Sequence, residues 1–215
     1  MTGSNGRVGK ILKSLLKHEI TDYDLPDNDV LDYENLAQAF NGQETVIHLA
    51  WKTDTDNYLS NFHDSDNTQM AFNVYRAAVE AGVKRVIMAS SIHASMPVQS
   101  TNDPMISPYA LPYPDSPYGA GKVFVESLGR YYAEYKKLEV VCLRFGGVGW
   151  GRQDLSDPEH RFWLSDEDCI QLVERCLEAE DIQSNYMIIN AVSDNEGRIH
   201  DLTNVIGWKP MSGIR

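Results

Sequence analysis

The chain has 215 residues, of which 42% are hydrophobic, and its formal net charge at pH 7 is −12. A chain of this length can bury one substantial core, while its negative charge repels phosphate backbones and excludes the usual basic nucleic-acid-binding surface. No run approaches the ~20 apolar residues of a membrane helix, and a glycine-rich turn begins where a signal peptide would lie.

These features favour a cytoplasmic globular enzyme with neither membrane nor nucleic-acid partners. The three cysteines are odd in number and lie in predicted strands or helices, and their spacing is unlike that of metal ligands. We therefore expect reduced structural thiols and no metal site.

The first motif is the glycine turn Thr2-Gly3-Ser4-Asn5-Gly6-Arg7-Val8-Gly9. Gly3 and Gly6 allow a tight turn and close approach of the backbone to a pyrophosphate, while Gly9 lets a helix over 8–17 pack on a sheet. The N-terminus of that helix would receive the phosphates. A flexible loop can show the same spacing, so the value of the motif depends on the strands and helices that come after it in the chain.

A dinucleotide fold normally has a buried strand directly before such a turn, but only Met1 precedes Thr2 here. We expect either that the sequence is trimmed by several residues or that the central strand is absent. The rest of the site favours trimming.

A short second strand over 19–24 is predicted to end at Asp24, about twenty positions beyond the glycines. An acid at that point accepts the hydroxyls of an adenosine ribose and repels a 2′-phosphate, which favours NAD over NADP. The alternative is an ordinary acidic residue of a surface turn.

Two apolar strands are predicted next, over 45–50 and 85–89, separated by a polar segment and a helix over 67–81. Unbroken apolar runs are typical of a parallel sheet that is covered on both faces. Chemistry in open α/β sheets collects at the carboxyl ends of strands. The second strand delivers Ser90 and Ser91 to that edge, although two serines are also ordinary loop composition.

A proline-rich loop over 96–117 leads into a helix predicted over 117–137, with Ser116 as its N-cap and Pro117 at its first position. Tyr118 and Lys122 are four residues apart and therefore share a helix face. One cation ~4 Å from the phenol is worth roughly 4 kcal/mol at an effective dielectric of ~20, enough to lower the tyrosine pKa towards ~7. Such a phenol could act as a general base. The pair also occurs by chance on amphipathic helices.

A further strand is predicted over 140–145, then a polar segment, a helix and a last strand over 186–190. There is no linker, repeat or low-complexity segment. We expect one domain over 1–215, in which residues 146–215 form a small lobe on the substrate side.

Together, the glycine turn, Ser90-Ser91 and the Tyr118/Lys122 pair resemble the extended short-chain dehydrogenase/reductase superfamily, the NAD-dependent epimerase/dehydratase family. Ser90-Ser91-Ile92-His93, Trp163-Leu164-Ser165 and the ending Gly207-Trp208-Lys209-Pro210 are similar to the uronate dehydrogenases and archaeal-type sugar or sugar-phosphate 1-dehydrogenases. The resemblance implies an α/β Rossmann-type doubly wound parallel sheet and NAD-dependent oxidation of an anomeric hydroxyl to a lactone.

The resemblance also implies roles for individual residues. Tyr118, Lys122 and Ser91 would be catalytic. The cofactor would be held by Gly3, Ser4, Asn5, Gly6, Arg7, Val8, Asp24, Asp29, Val30, Leu49, Ala50, Trp51, Asn67, Tyr118, Lys122 and Phe145. The sugar would contact Thr53, Ser91, Ile92, His93, Tyr118, Gly147, Arg152 and Arg161.

Three substrate positions depart from the pattern of the relatives. Ile92 replaces an asparagine that contacts a uronate, Gly147 replaces a serine, and the arginine that pairs with the sugar carboxylate is not at the matching position. Arg152 or Arg161 would replace that arginine. A neutral or phosphorylated aldose therefore stands equal to a uronate as the substrate.

Two other functions remain open. A nucleotide-sugar epimerase or dehydratase uses the same tyrosine and lysine, but only 97 residues follow Tyr118 (215 minus 118), which leaves little room for a nucleotide-holding lobe. A non-catalytic dinucleotide sensor is the third possibility. The helices over 67–81 and 117–137 resemble those that pair in homodimers of the superfamily.

Overall fold

The computed structural model describes residues 1–52, 63–96, 105–152 and 154–215. Within these ranges the strands are β1 (Thr45–His48), β2 (Arg85–Ser91), β3 (Glu139–Phe145), β4 (Gly147–Val148), β5 (Trp163–Leu164) and β6 (Tyr186–Ala191). The α-helices in the same ranges are α1 (Arg7–Leu15), α2 (Tyr33–Phe40), α3 (Ser65–Glu80), α4 (Pro117–Lys136) and α5 (Asp166–Glu178).

The main sheet is parallel and has the order β1-β2-β3-β6. Its alternate residues face opposite sides, as the two-residue period of a strand requires. Val86 and Met88 join a core cluster with α2, α3 and α4, while Ile87 and Val141 join a second cluster with α1 and α5. Helices therefore cover both faces, and the predicted doubly wound α/β fold is confirmed.

The expected central strand is reduced to the first residues of the chain. Thr2 forms parallel bridges to Tyr23 on one side and to His48 on the other, and its amide donates to Ile47 O at 2.9 Å. The Thr2 hydroxyl also lies 2.7 Å from Nδ1 of the buried His48. Thr2 thus stands where the central strand belongs, and this one residue fills the position.

Two predicted strands are shorter than expected. The strand over 19–24 consists of the single bridge at Tyr23, and β1 ends at His48, whose bridge to Thr2 is completed by the Leu49 amide donating to Thr2 O. The order of the strands along the chain reverses at Thr2. Ligands of open α/β sheets bind at such a switch point, outside the carboxyl ends of the strands.

A buried polar network fixes α4 against the sheet. Arg144 of β3 donates through Nε and Nη2 to the two carboxylate oxygens of Glu126, each at 2.8 Å, and the Ser90 hydroxyl donates to the same carboxylate at 2.5 Å. All three side chains are buried. The network sets the height of α4 above the carboxyl ends of β2 and β3.

The segment after β3 is built around α5. Ser165 caps this helix by accepting from the Asp168 amide at 3.0 Å, and the buried Asp168 carboxylate accepts from the Ser193 hydroxyl at 2.6 Å and from the Met211 amide at 2.7 Å. One carboxylate thus joins α5, the residues after β6 and the C-terminal segment. No helix in the described ranges has the length and apolar character needed to cross a bilayer.

Replacing Glu126 by alanine should destabilise the fold strongly, because Arg144 would keep a buried charge without its partner. The expected loss in free energy of unfolding is roughly 3 to 5 kcal/mol, measured by urea titration. Glu134→Ala is the matched control, since this exposed glutamate of α4 pairs with Arg130 at 2.8 Å and such pairs contribute about 0.5 kcal/mol or less. Equal losses in the two variants would contradict the assigned role of the buried pair.

Candidate active site

The glycine turn is as tight as its sequence predicts. Gly3 has φ 68°, and a Cβ at this residue would lie 2.5 Å from the Ala50 amide nitrogen. A Cβ at Gly9 would lie 2.5 Å from the Ser4 carbonyl oxygen. Both glycines therefore allow main chain to pack on main chain where a side chain would not fit.

The turn leaves the start of α1 open to an anion. Gly6 is the N-cap and supplies no side-chain acceptor, and the first turn contains no acidic residue. The first amides of a helix have no partner within the helix, and the helix dipole favours negative charge there. Arg7 and Val8 stand at this end, so the residues present fit a dinucleotide pyrophosphate.

Asp24 lies against the same turn. Its carboxylate accepts from the Asn5 amide at 2.7 Å and from the Leu25 amide at 2.9 Å. The structure thus brings Asp24 and the glycine turn together across the switch point. A fixed carboxylate at this place would disfavour a 2′-phosphate.

Asp29 and Val30, the cofactor candidates that follow Asp24 in the chain, have different surroundings. Val30 is buried in the core cluster that includes α2 and α3, and its carbonyl accepts from Asn73 Nδ2 at 3.0 Å. Asp29 is exposed, and its carboxylate accepts from the Leu31 amide at 2.9 Å. Their contact with a cofactor stays a prediction.

The segment after β1 is held by Asn67. Its amide oxygen accepts from the Lys52 amide at 2.6 Å, and its nitrogen donates to the Lys52 carbonyl at 3.2 Å. Asn67 is only 2% exposed, so its side chain holds the backbone at Lys52, and its contact with a cofactor stays a prediction. Thr53 lies outside the described residues.

Tyr118 stands over the carboxyl end of β2. Its ring packs edge-on against Trp51 and His93, with centroid distances of 6.0 and 5.8 Å, and the Ser91 hydroxyl is close enough to lower the pKa of the phenol. Ser116 caps α4 by accepting from the Gly119 amide at 3.1 Å, as predicted. The structure therefore brings Ser91, His93 and Tyr118 together.

Lys122 points into the same region but contacts other groups. Its Nζ donates to the Ala89 carbonyl at 2.9 Å and lies 3.6 Å from the centroid of the Trp51 ring, against 5.6 Å from that of Tyr118. The side chain is almost fully buried, with 3% exposure. Tyr118 and Lys122 thus share a face, with the indole of Trp51 beside both.

The expectation that Lys122 lowers the tyrosine pKa towards 7 is wrong for this arrangement. Burial raises the pKa of Tyr118, the Ser91 hydrogen bond lowers it, and the Asp115 charge raises it, so the net shift is upward. Burial lowers the pKa of Lys122 to about 7, against opposing effects of Glu126 and Cys142. The Coulomb argument omitted desolvation, which disfavours the charged form of both groups.

Asp115 is a site residue that the sequence does not reveal. Its carboxylate lies 2.7 Å from Nδ1 of His93 and accepts from the Ser116 hydroxyl at 2.9 Å. Burial raises the pKa of Asp115, but the hydrogen bond and charge of His93 and the hydrogen bond of Ser116 lower it by more. The pKa of Asp115 is therefore lower than its usual value. The 22-residue separation of His93 and Asp115 gives no local signal in the sequence.

Residues 1–162 match the NAD dependent epimerase/dehydratase family. The chain belongs to this family. It is 31% identical to L-arabinose 1-dehydrogenase (NAD(P)(+)) of Haloferax volcanii, over 98% of this chain and 94% of that protein. It is 30% identical to the NAD-dependent glucose-6-phosphate dehydrogenase of the same organism, over 98% of this chain and 91% of that protein.

Solved structures agree with this family assignment. A mutated uronate dehydrogenase superposes with a TM-score of 0.84 at 26% identity, covering 99% of this chain and 80% of that chain. By sequence, the uronate dehydrogenase of Pseudomonas syringae pv. tomato is 26% identical over 91% of this chain and 74% of that protein.

Two of the substrate candidates, Ile92 and Gly147, have close neighbours within the protein, and their contact with a sugar stays a prediction. Ile92 packs in a small apolar cluster with Phe162 and Val192. A Cβ at Gly147 would collide with the indole of Trp150, which explains physically why this family member has glycine there. Phe145, the register partner of Ser91, is buried in the cluster that includes α1 and α5.

The two candidate arginines occupy different surroundings. Arg152 is exposed beyond the turn that carries Trp150. Arg161 is half-buried; its guanidinium lies 4.8 Å from the centroid of the Phe162 ring, and its Nε has no hydrogen-bond partner among the described residues. Phe162 belongs to the same small apolar cluster as Ile92.

Gly3→Ala should abolish cofactor binding, because the new methyl group would push the glycine turn away from Ala50. Gly42→Ala is the matched control: Gly42 also has positive φ, 76°, but a Cβ there meets nothing within 4 Å. The control should lose about 1 to 2 kcal/mol of stability and still bind NAD in a calorimetric titration. NAD binding by Gly3→Ala with unchanged affinity would contradict the assigned role of the turn.

Proposed function

We propose that this protein is an NAD-dependent sugar 1-dehydrogenase, which oxidises the anomeric hydroxyl of a small cyclic sugar to a lactone. The observation that carries the proposal is the meeting of Ser91, Tyr118 and Lys122 at the sheet edge where the glycine turn also lies. The arabinose, glucose-6-phosphate and uronate dehydrogenases among its relatives support the same reaction.

Each side chain has a defined task in this reaction. When bound, NAD supplies the hydride acceptor. The Ser91 hydroxyl holds the oxygen on the anomeric carbon, and the Tyr118 oxygen takes the proton of that hydroxyl while the C–H bond gives up its hydride. Lys122 stabilises the negative charge of the tyrosine oxygen before the proton arrives.

The pKa shifts support a base that is available near neutral pH. Burial lowers the pKa of Lys122 to about 7, and the pKa of Tyr118 lies above its usual value, so we expect the pair to lose one proton near pH 7. The proton that remains can sit on the phenol or on the amine, and these two forms have the same overall charge. The reactive form is phenolate with ammonium, and the activity should therefore rise as pH increases through the pKa of the pair.

The sugar class is proposed to carry an anionic group, with Arg161 as the residue that binds it. Arg161 is favoured over the exposed Arg152 because its buried Nε has no hydrogen-bond partner among the described residues. A carboxylate or phosphate would satisfy such a guanidinium. His93, held by Asp115, is proposed to bind a sugar hydroxyl.

The assembly is proposed to be a homodimer in the cytoplasm. Large apolar side chains of α3 and α4 are exposed, namely Phe72, Phe124, Tyr131 and Tyr135, and a second copy of these helices would cover them. Three buried free cysteines fit a reducing compartment.

The function is tested by mixing the protein with NAD and separate aldoses, uronates and sugar phosphates, and by following NADH and the lactone. Turnover with an anionic sugar is the expected result. NAD binding without turnover on any sugar would refute the proposal, and retention of a UDP-sugar without net NADH would indicate an epimerase instead.

Tyr118→Phe should reduce kcat by about 10²- to 10⁴-fold, the range of a lost general base, while the Kd for NAD changes by no more than about twofold. Steady-state NADH assays measure kcat, and calorimetric titration measures the Kd for NAD. The control is Tyr113→Phe, since Tyr113 precedes α4 in the chain and has an exposed side chain. Unchanged turnover in Tyr118→Phe would remove this residue from the mechanism.

Asp24→Asn should raise the kcat/KM for NADP relative to NAD on the order of tenfold, because it removes one negative charge near the 2′ position while keeping an acceptor for the Asn5 amide. Asp22→Asn is the control, since Asp22 pairs with Lys13 at 3.0 Å on the same segment. A similar change in both variants would show that general surface charge sets the cofactor preference.

A further inference from the structure

The ammonium group of Lys122 lies on the face of an aromatic ring. Its Nζ is 3.6 Å from the centroid of the Trp51 ring, well within the ~6 Å range of a cation–π contact. The Ala89 carbonyl accepts from the same nitrogen at 2.9 Å. These two neutral groups bind a cation that is almost fully removed from water, where a cation–π contact is strongest.

Trp51 is firmly placed for this contact. The residue after it is fixed by the two hydrogen bonds between Asn67 and the Lys52 backbone. A Cβ at Gly121 would lie 3.3 Å from Trp51 Cζ2, so glycine at this position lets the indole pack closely against α4. The Tyr118 ring closes the third side, perpendicular to the indole.

We propose that Trp51 is a positioning residue of the proposed dehydrogenase, which stabilises the ammonium form of Lys122 and so keeps Tyr118 as the phenolate that accepts the substrate proton. The proposal rests on the proposed function, because it assigns Trp51 a part in the same proton transfer. The proposal gives Trp51 an effect on Tyr118 and Lys122 in addition to the cofactor contact that the resemblance implies.

The proton balance shows what the indole changes. After one proton has left, the pair exists either as phenol with neutral amine or as phenolate with ammonium. The indole face attracts only the ammonium, so it increases the share of the second form without adding or removing a proton. During turnover the sugar hydroxyl gives its proton to the phenolate and its carbon gives a hydride to NAD.

The other ionisable groups around Lys122 do not replace the indole. On α4 itself, Glu126 favours the ammonium, but its carboxylate is already shared by Arg144 and Ser90. Cys142 of β3 is buried, and burial raises the pKa of its thiol, so it stays neutral. His48 of β1 is neutral as well, because burial lowers its pKa to about 3.

The test compares Trp51→Phe with Trp51→Leu. Phenylalanine keeps a ring face with a weaker cation contact, and leucine keeps apolar bulk without one. We measure kcat/KM for the sugar against pH at saturating NAD, after thermal unfolding and NAD titration have shown that both variants fold and bind NAD.

Trp51→Leu should lower the plateau of the pH profile by about tenfold and move its rising limb about one pH unit lower, with Trp51→Phe in between. Below the limb the variants should converge on wild type, because the ratio of phenolate to phenol beside an ammonium does not depend on the ring. A limb that moves to higher pH, or Phe and Leu variants that behave alike, would overturn the proposal, since either result indicates packing alone.

A second measurement needs no turnover and so separates this proposal from the proposed function. In a ¹⁵N NMR titration of the lysine side chains, with Lys122 assigned through Lys122→Arg, the pKa of Lys122 should be about one unit lower in Trp51→Leu than in wild type. An unchanged or higher pKa would refute the role of Trp51 even if the enzyme oxidises sugars. A lower pKa in a protein without sugar turnover would support the contact and refute only the dehydrogenase.

Discussion

The close approach of α4 to the carboxyl ends of β1 and β2 is the constraint on which the site depends. At Gly119 a Cβ would collide with the His93 carbonyl, and at Gly121 it would press on Trp51 and His63. Two glycines near the start of the helix therefore let it descend onto the strand ends. The buried Glu126–Arg144 pair holds α4 at that depth one turn beyond Lys122.

That depth determines the electrostatics of Tyr118 and Lys122. A phenol and an amine that are both removed from water each prefer their neutral form. The proton distribution between them is then decided by neighbours: the Ser91 hydroxyl at the phenol, and the Ala89 carbonyl and the Trp51 ring at the amine. The proposed base near neutral pH would therefore be a property of the two residues together, and neither residue alone explains it.

Local signals in the sequence located several elements because their cause is local. Ser116 and Pro117 start α4 through capping and a preset φ, and the glycines at 3 and 9 sit where a Cβ would strike main chain. Apolar runs located β2, β3 and β6 because both faces of the sheet are covered. By contrast, the single bridge at Tyr23 depends on Thr2, which lies more than twenty residues away in the chain.

Contacts between residues that are far apart in the chain could not be predicted from the sequence. The resemblance implies that Asn67, Ile92 and Gly147 lie near a ligand, and only the structure shows their neighbours: Asn67 binds the Lys52 backbone, Ile92 shares a cluster with Phe162, and Gly147 lies against Trp150. The sequence by itself determined the residue types and the four-residue spacing that put Tyr118 and Lys122 on one helix face. Only the tertiary structure decided their protonation and their partners, because desolvation and the position of Trp51 arise when separate parts of the chain pack together.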